Sequence, residues 1–262
     1  MDYLSALFIF VFGSIIGSFL NVLILRYGNL FRSSQRSICF SCGHPLNFLD
    51  LIPLVSFFAL GGKCRYCKSS LSIQYPLVEF LTAITFLFIY LKIGFFNVNL
   101  FFYLFVWSIF IAILVYDLNH KIIPDALVYT LIILTALKVL YLSYPDFGQY
   151  FWLILAGPMV ASPFAFFWLV SKGRWMGFGD AKLALAIGWM LGLMDGISVI
   201  ILSSLIGSVV GLSLILISQT DFFSWSERFK NLTIKSEMPF APFLIIGTAI
   251  VFFLEVNIRV FL

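Results

Sequence analysis

The chain has 262 residues, of which 62% are hydrophobic and only 11% are charged. A water-soluble domain of this length cannot bury so large an apolar fraction, so the composition excludes an ordinary soluble protein. The net charge of +4 decides little, because the placement of Lys and Arg matters more in membrane proteins than their sum. We therefore predict an all-α, polytopic membrane helical bundle.

Eight apolar runs in the sequence are predicted to be transmembrane helices. Most of them approach the roughly 20 residues that a helix needs to cross about 30 Å of hydrocarbon. The sixth run is short, so it is expected either to start below the membrane surface or to be shielded by its neighbours. Gly13 and Gly17, in the first run, are expected to mark close helix packing. The predicted spans are residues 3–25, 76–92, 99–116, 124–142, 150–170, 181–194, 196–218 and 240–258.

The basic residues predict the orientation of these spans. If the N-terminus is outside, 13 of the 16 Lys and Arg residues lie on inner segments, and only Lys92, Lys138 and Arg259 lie on the outer side. Such a bias favours the arrangement with the basic segments in the cytoplasm. The long connections 27–75 and 219–239 are then cytoplasmic, and the working parts of the protein are expected to face the cytoplasm.

The first long inner connection contains all four cysteines of the chain, arranged as C-x2-C, 21 residues, C-x2-C. Four thiolates in two such pairs suit a tetrahedral Zn²⁺, and a site closed by four cysteines has a structural role. Gly43, which follows the first pair, is expected to have the positive φ that such knuckles often need. Incidental thiols or disulfides are the alternatives, and disulfides are disfavoured in the cytosol. The four predicted metal ligands are Cys39, Cys42, Cys64 and Cys67.

Two aspartates stand at helix ends on the predicted cytoplasmic side. Asp117 directly follows the third apolar run, and Asp180 precedes the sixth in the stretch GFGD. Taken singly, Asp180 has a simpler interpretation as a helix N-cap, and Asp117 as an interfacial residue paired with Lys121. If helix packing brings the two carboxylates together, they cannot both ionise easily, and one can act as a base while the other donates a proton. Such a pair predicts peptide cleavage by an activated water.

Three further residues, with Lys121, are predicted to support the aspartate pair, and Glu79 is a separate candidate. Gly177 and Gly179 would let backbone and substrate approach closely, although an ordinary turn explains them as well. Asp125 follows a proline and is interpreted as a supporting residue in the first turn of a helix. Glu79 is a site candidate because an acid inside a span is costly, and a role at the start of its helix is an equal alternative.

Eight stretches of the chain resemble one family in order and spacing: GSFLNVLILR, CFSCGHPL, DLIPLVSFF, GKCRYC, QYPLVEFLTA, YDLNHKIIPD, GFGDAKL and PFAPFL. They resemble the type IV prepilin peptidases, which are membrane aspartic proteases of the GxGD class. The resemblance extends from Gly13 to Leu244. It implies that Asp117 and Asp180 are the catalytic aspartates, and Lys121 lies within one of the matching stretches as a supporting residue.

The resemblance also implies a substrate, a reaction and a location. Family members cut the basic leader from type IV prepilins or pseudopilins after a glycine, on the cytoplasmic side of the bacterial inner membrane. Many then N-methylate the new terminal residue with S-adenosylmethionine, and the four-cysteine loop belongs to that bifunctional form. Glu79 falls in a segment associated with methylation. Membrane lipid is the other expected partner, and no nucleic-acid partner is expected.

These expectations divide the chain into three parts. They are a first transmembrane helix at 1–26, a cytoplasmic four-cysteine loop at 27–75 and a membrane-embedded peptidase core at 76–262. An ion- or proton-coupled transporter is the alternative, because transporters also place acids near helix ends. Repeated halves and midplane carboxylates would favour it, and the sequence displays neither. A non-enzymatic scaffold that binds a partner through the cysteine loop is a third interpretation.

Overall fold

The computed structural model describes residues 3–27, 37–144, 148, 150–218 and 239–255, and these residues are almost entirely helical. Each of the eight predicted spans corresponds to one helix of the described part, which confirms the all-α prediction. Two short elements precede α3 in the cysteine loop. In chain order the helices are α1 (Tyr3–Arg26), a 3-10 helix (Phe48–Leu51), α2 (Val55–Ala59), α3 (Gln74–Ile93), α4 (Val98–His120), α5 (Asp125–Ser143), α6 (Phe151–Ser171), α7 (Phe178–Leu191), α8 (Leu193–Ser218) and α9 (Ala241–Leu254).

Six helices in the described part of the chain are long and apolar enough to cross a membrane: α1, α3, α4, α5, α6 and α8. Hydrocarbon offers no hydrogen-bond partners to the backbone, so a spanning segment must satisfy its own amides and carbonyls, as a helix does. The helices α7 and α9 have 14 residues each. At about 1.5 Å per residue they cover only about 21 Å.

The two candidate aspartates lie inside helices rather than beside them. Helix α4 continues to His120, which places Asp117 near its C-terminal end. Helix α7 begins at Phe178, which makes Asp180 its third residue. The apolar runs in the sequence mark the hydrocarbon part of each helix, whereas the helices continue for about one more turn into polar sequence.

The chain forms two compact units, with the boundary between Val115 and Tyr116 inside α4. In the first unit, α1 packs against α3 through two glycines. A Cβ atom at Gly13 would lie 2.8 Å from the Cα of Ala83, and one at Gly17 would lie 2.6 Å from the Cα of Glu79. The prediction that these glycines mark close helix packing is therefore confirmed.

The short helix α7 lies at the centre of the second unit, where it contacts α5, α6, α8 and α9. Its closest approach is to α6, since a Cβ atom at Gly188 would lie 2.8 Å from the Cα of Gly157. The Trp189 indole Nε1 also donates a hydrogen bond of 2.9 Å to the carbonyl of Ile154 on α6. A helix too short to span the membrane alone is thus shielded by its neighbours, as one of the two sequence-based alternatives proposed.

Part of the predicted charge pattern falls outside the described residues. Within the second unit, however, Lys121, Lys172, Arg174 and Lys182 lie at the end where α4 and α6 finish and α5 and α7 begin. This is also the end that carries Asp117 and Asp180, so the basic residues and the candidate aspartates share one side. The basic residues of the predicted charge pattern that lie outside the described residues are Arg32, Arg36, Arg228, Lys230, Lys235 and Arg259.

Candidate functional site

Asp117 and Asp180 are the buried acids of the second unit's described residues. Asp117 is 3% exposed and Asp180 is 8% exposed. The charge of the Asp117 carboxylate acts directly on Asp180, so the fold brings the ends of α4 and α7 within electrostatic range of each other. The Asp117 Oδ2 atom is buried and accepts no hydrogen bond from the described residues. Two carboxylates that are 63 positions apart in sequence are therefore both buried and lie within electrostatic range of each other.

The connection between α4 and α5 holds this end of the unit together. Its residue Ile123 packs on Gly179, where an added Cβ atom would lie 3.1 Å from both the Cβ and the Cδ1 of Ile123. Gly177 differs, because an added Cβ atom there would have no neighbour closer than the Gly179 amide at 4.0 Å. Gly179 is thus tightly packed against Ile123, whereas Gly177 borders open space.

The simpler interpretations of the two aspartates do not describe this structure. The N-cap of α7 is Gly177, and Asp180 is the third helical residue. Within the described residues, Lys121 contacts Asp117 through its backbone, whose N–H donates a 2.7 Å hydrogen bond to the Asp117 carbonyl. Lys121 has a φ of +55°, which ends α4 in a left-handed conformation. Its side chain forms no ion pair with Asp117 in this part of the chain.

Asp125 is the first residue of α5, and its partner was not predicted from the sequence. The Lys182 ammonium lies 2.6 Å from the Asp125 Oδ1. The same Nζ lies 4.6 Å from the centre of the Tyr129 ring and 5.5 Å from that of Phe178. Through these contacts the first turn of α7, which carries Asp180, packs against the first two turns of α5. Lys182 follows Asp180 by two positions, but the sequence does not show a partner 57 residues earlier.

The four cysteines of the first unit converge on one point. Their Sγ atoms all lie within 4.8 Å of one another, and the Sγ atoms of Cys39 and Cys67 are 3.8 Å apart. A tetrahedral site with Zn–S bonds of about 2.3 Å requires sulfur atoms about 3.8 Å apart. All four are free thiols, so the alternative of disulfides is not observed. The donor set therefore fits a zinc ion in both chemistry and spacing.

The two cysteine pairs form matching turns. In the first, the Gly43 amide donates to the Cys39 carbonyl at 2.8 Å, and in the second the Lys68 amide donates to the Cys64 carbonyl at 3.1 Å. The φ angle is +70° at Gly43, as predicted, and +60° at the equivalent Lys68. Hydrogen bonds from the backbone amides of Cys42 and Ser41 lower the pKa of the Cys39 thiol to about 6. The backbone of this turn thus favours at Cys39 the thiolate that a metal requires. At Cys42 the backbone hydrogen bond from His44 also lowers the pKa, but burial and the neighbouring thiols raise it to about 11.

A polar cluster links the second turn to residues 47–50, which follow the first turn in the chain. The Asp50 carboxylate accepts a 2.6 Å hydrogen bond from Arg65 Nε and a 3.2 Å bond from the Asn47 amide. The Tyr66 hydroxyl donates to the same carboxylate at 3.4 Å. Burial alone would raise the pKa of Asp50, but the hydrogen bond from Arg65 and that from the Asn47 amide hold it below its usual value. Asp50 is therefore an ionised support for the cysteine module.

Glu79 lies in the second turn of α3 and is only 7% exposed. Its Oε2 accepts a 2.8 Å hydrogen bond from the backbone amide of Leu54. It borders a cavity of about 330 Å³ in the first unit. The candidate residues thus fall into two groups, with the aspartate pair and its supports in the second unit, and the cysteines and Glu79 in the first.

Two buried aspartates at helix ends within electrostatic range of each other, in a helical membrane protein, are the arrangement expected of a membrane aspartic protease. Residues 102–212 match the type IV leader peptidase family, and residues 11–93 match the bacterial peptidase A24 N-terminal domain. The chain belongs to the type IV leader peptidase family, which confirms the resemblance found in the sequence.

Curated relatives cover most of the chain. A prepilin leader peptidase/N-methyltransferase of Aeromonas salmonicida is 32% identical, over 91% of this chain and 87% of the relative. A protein of the same name from Pseudomonas aeruginosa is 30% identical, over 94% and 91%. One from Myxococcus xanthus is 33% identical, over 81% and 64%. No solved structure matches the chain. Nothing in these comparisons favours the transporter interpretation.

Proposed function

We propose that this chain is a prepilin leader peptidase and N-methyltransferase, with Asp117 and Asp180 as its catalytic aspartates. The observation that supports the proposal is that both carboxylates, at the end of α4 and the start of α7, are buried and within electrostatic range of each other. The substrates are type IV prepilins or pseudopilins, which are cut after the glycine that ends their basic leader. Membership of the type IV leader peptidase family supports this choice of substrate.

The chemistry follows from two carboxylates in one buried site. Like charges at short range are costly there, so the pair works with one shared proton. The ionised carboxylate removes a proton from water while the water oxygen attacks the scissile carbonyl carbon. The protonated carboxyl group then delivers its proton to the nitrogen of the leaving amine as the C–N bond breaks. No covalent bond forms between the protein and the peptide.

The surroundings of the pair suit an extended substrate. Gly177 borders open space next to Asp180, so a peptide backbone can approach α7 at this residue without meeting a side chain. Ile123 and Gly179 fix the α4–α5 connection against α7. The Asp125–Lys182 ion pair holds the first turn of α7 in place. We propose that these residues position the two aspartates, and that the substrate peptide approaches α7 at Gly177.

We also propose that the aspartate pair faces the cytoplasm of a bacterial cell, with the N-terminus of the chain outside. The basic residues Lys121, Lys172, Arg174 and Lys182 at the same end of the second unit support this orientation. A prepilin inserted in the membrane keeps its basic leader on that side. The aspartates would then meet the junction between the leader and the hydrophobic helix.

For the first unit we propose a structural zinc ion held by Cys39, Cys42, Cys64 and Cys67. Four cysteine ligands leave no open position for a substrate, so the metal stabilises the loop and takes no part in cleavage. The functional division proposed from the sequence assigns residues 27–75 to methylation and residues 76–262 to peptide cleavage. S-adenosylmethionine is the proposed methyl donor.

The test is a cleavage and methylation assay with the full chain in detergent. A prepilin with a basic leader and a Gly-Phe junction is incubated with the protein, with and without S-adenosylmethionine, and the products are identified by mass spectrometry. We expect one cut directly after the glycine, and one added methyl group only when S-adenosylmethionine is present. An intact prepilin, or a cut at another bond, would contradict the proposed activity.

A further inference from the structure

The connection between α1 and α3 contains an apolar stretch, although it lies outside the candidate membrane spans. Residues 51–62, which read LIPLVSFFALGG, contain no charged side chain. They begin with the last residue of the 3-10 helix and include the short helix α2. A loop surrounded by water would be expected to bury large apolar side chains of this kind.

Large apolar side chains in and just before this stretch are instead exposed. Phe48 is 82% exposed and Phe58 is 74% exposed, and Leu49 and Val55 are exposed as well. Single apolar residues on a protein surface are normal, but a group of them indicates an interaction surface. We call these four residues the apolar edge. They lie within eleven positions of one another in the chain.

The backbone that carries the apolar edge is fixed on both sides of α2. Before α2, the Leu54 amide donates a 2.8 Å hydrogen bond to the Glu79 Oε2 on α3. After α2, the Gly62 carbonyl accepts a 2.8 Å hydrogen bond from the Leu71 amide. The exposed side chains therefore project from a segment that is held against the start of α3.

The hydrogen bond to Glu79 indicates how deep this segment lies in the membrane. Helix α3 has 20 residues, which at about 1.5 Å per residue gives a length of about 30 Å. The hydrocarbon core of a bilayer is about 30 Å thick, so α3 needs its whole length to cross it, and Gln74 lies at the boundary of the core. Glu79 lies about 7.5 Å further along the axis, and its side chain leans back toward the N-terminus of the helix. The Leu54 amide therefore lies at the level of this boundary.

The start of α3 also exposes apolar side chains at this level. Ile73, Leu77 and Phe80 are exposed, and their spacing of four and three residues places them on one face of the helix. This face of α3 requires lipid as its surroundings. Val55 and Phe58 follow Leu54 by one and four positions, so they lie near the same depth and meet the same surroundings.

Exposed basic residues follow the apolar stretch. Lys63 comes directly after it, and Lys68 follows five positions later, and both side chains are exposed. Elements that lie in the membrane interface combine an apolar face with Lys or Arg residues, which interact with the phosphate groups of the lipid. The charge of this region thus complements a lipid surface.

We propose that residues 48–60 form an interfacial membrane anchor. The apolar edge enters the boundary between headgroups and acyl chains in the leaflet that surrounds the start of α3, and phospholipid acyl chains cover it. Lys63 and Lys68 lie at the level of the phosphate groups. The anchor holds the four-cysteine loop against the membrane surface in addition to the two helices that flank it. The proposal does not depend on either proposed enzymatic activity.

The first test labels the wild-type chain from the lipid side. The full chain is reconstituted in nanodiscs of phosphatidylethanolamine and phosphatidylglycerol that contain a phospholipid with a diazirine on its acyl chain. After irradiation, peptide mapping by mass spectrometry should find label in residues 48–58. Leu77, on the exposed face of α3, is the positive control, and the polar residues 63–70 should remain unlabelled. In Phe48→Ser/Phe58→Ser the label in residues 48–58 should be lost, while the label at Leu77 should not change.

The second test compares access from lipid with access from water, and it leaves the four thiols unmodified. Trifluoromethyl-phenylalanine is introduced at position 58, and in a separate protein at position 66, where Tyr66 is the aromatic control. A nitroxide on the acyl chain should broaden the ¹⁹F signal at position 58, whereas a water-soluble gadolinium chelate should not. At position 66, which adjoins the Asp50–Arg65 ion pair, the chelate should broaden the signal more than the nitroxide does.

The outcomes distinguish lipid from the other possible occupants of the apolar edge. If residues 48–58 stay unlabelled while Leu77 is labelled, and neither reagent broadens the signal at position 58, protein covers the edge and the proposal is wrong. If the chelate broadens that signal, the edge faces water and the proposal is also wrong. Label in residues 48–58 together with broadening by the lipid nitroxide supports the anchor. Neither measurement uses a prepilin or a methyl donor, so a failure of the proposed enzymatic function would not affect the result.

Discussion

The contact between Gly179 and Ile123 provides a test of how the aspartate pair is positioned. A Cβ atom at residue 179 would lie 3.1 Å from two carbons of Ile123, whereas carbon atoms prefer about 3.5–4.0 Å. In Gly179→Ala the α4–α5 connection must move by a few tenths of an ångström. Overpacking of this kind typically costs about 1–3 kcal/mol, and we expect about 1 kcal/mol because Ile123 lies in a connection rather than within a helix.

The net stability of Gly179→Ala alone does not isolate this clash, because alanine also has a higher helix propensity than glycine by up to about 1 kcal/mol. The quantity to measure is the coupling with Ile123→Ala, which removes two of the three closest carbons. Thermal unfolding in detergent of the two single variants and the double variant gives this coupling. We expect a coupling of at most about 1 kcal/mol, or about 2–4 °C in Tm for a unit of this size, because the Cβ of residue 123 remains 3.1 Å away.

The displacement of the α4–α5 connection in Gly179→Ala should also slow peptide cleavage. Small displacements of catalytic groups are costly, and misplacement by about 1 Å can cost about 100-fold in rate. We expect Gly179→Ala to cleave prepilin roughly tenfold more slowly, with partial recovery in the double variant. Strictly additive stabilities, together with a wild-type rate in Gly179→Ala, would refute the role assigned to this contact.

Four further predictions follow from single contacts. Gly188→Ala places a Cβ atom 2.8 Å from backbone on α6, so it should lower Tm by several degrees, whereas Gly207→Ala, with no neighbour closer than 3.4 Å, should not. Lys182→Met should slow cleavage several-fold by releasing the first turn of α7 from Asp125, with a loss of stability of at most about 1 kcal/mol because the Asp125 side chain is 69% exposed. Lys68→Gly should raise the stability of the metal-bound protein by about 1 kcal/mol, because it relieves a positive φ. Elemental analysis should find one zinc ion per chain, and its removal by a chelator should abolish methylation before cleavage.

The eight helices that correspond to hydrophobic runs, and their order, followed from those runs, because the membrane allows few alternatives to a helix. The two short helices of the cysteine loop did not. The exact ends of α4 and α7 did not follow, since a helix can continue into polar sequence where hydropathy gives no signal. This is why Asp117 and Asp180 lie within helices that the sequence placed beside them.

The turns that carry the metal ligands could also be predicted from the spacing of the cysteines. Two C-x2-C pairs predict two turns and one tetrahedral ion, and Gly43 has the positive φ expected of it. The matching positive φ at Lys68 was not predicted, because lysine has no preference for it. The geometry of the second turn is imposed by its hydrogen bonds, which the sequence alone does not display.

Contacts between residues that are far apart in the chain could not be predicted from the sequence. The partner of Asp125 is Lys182, 57 positions away, and the partner of Glu79 is the backbone of Leu54. A backbone amide carries no sequence signal, and an ion pair between helices depends on how the helices pack. The cavity beside Glu79 likewise exists only in the folded unit.

The measurement that tests the central claim most directly is the cleavage rate of Asp117→Asn, Asp180→Asn and the double variant, compared with the wild type on the same prepilin. Because the two carboxylates act as one unit, each single variant should lose nearly all activity, and the double variant should lose hardly more. All three should keep the Tm of the wild type to within a few degrees. A folded single variant that still cuts after the glycine at a substantial rate would contradict the assignment of the pair as the catalytic centre.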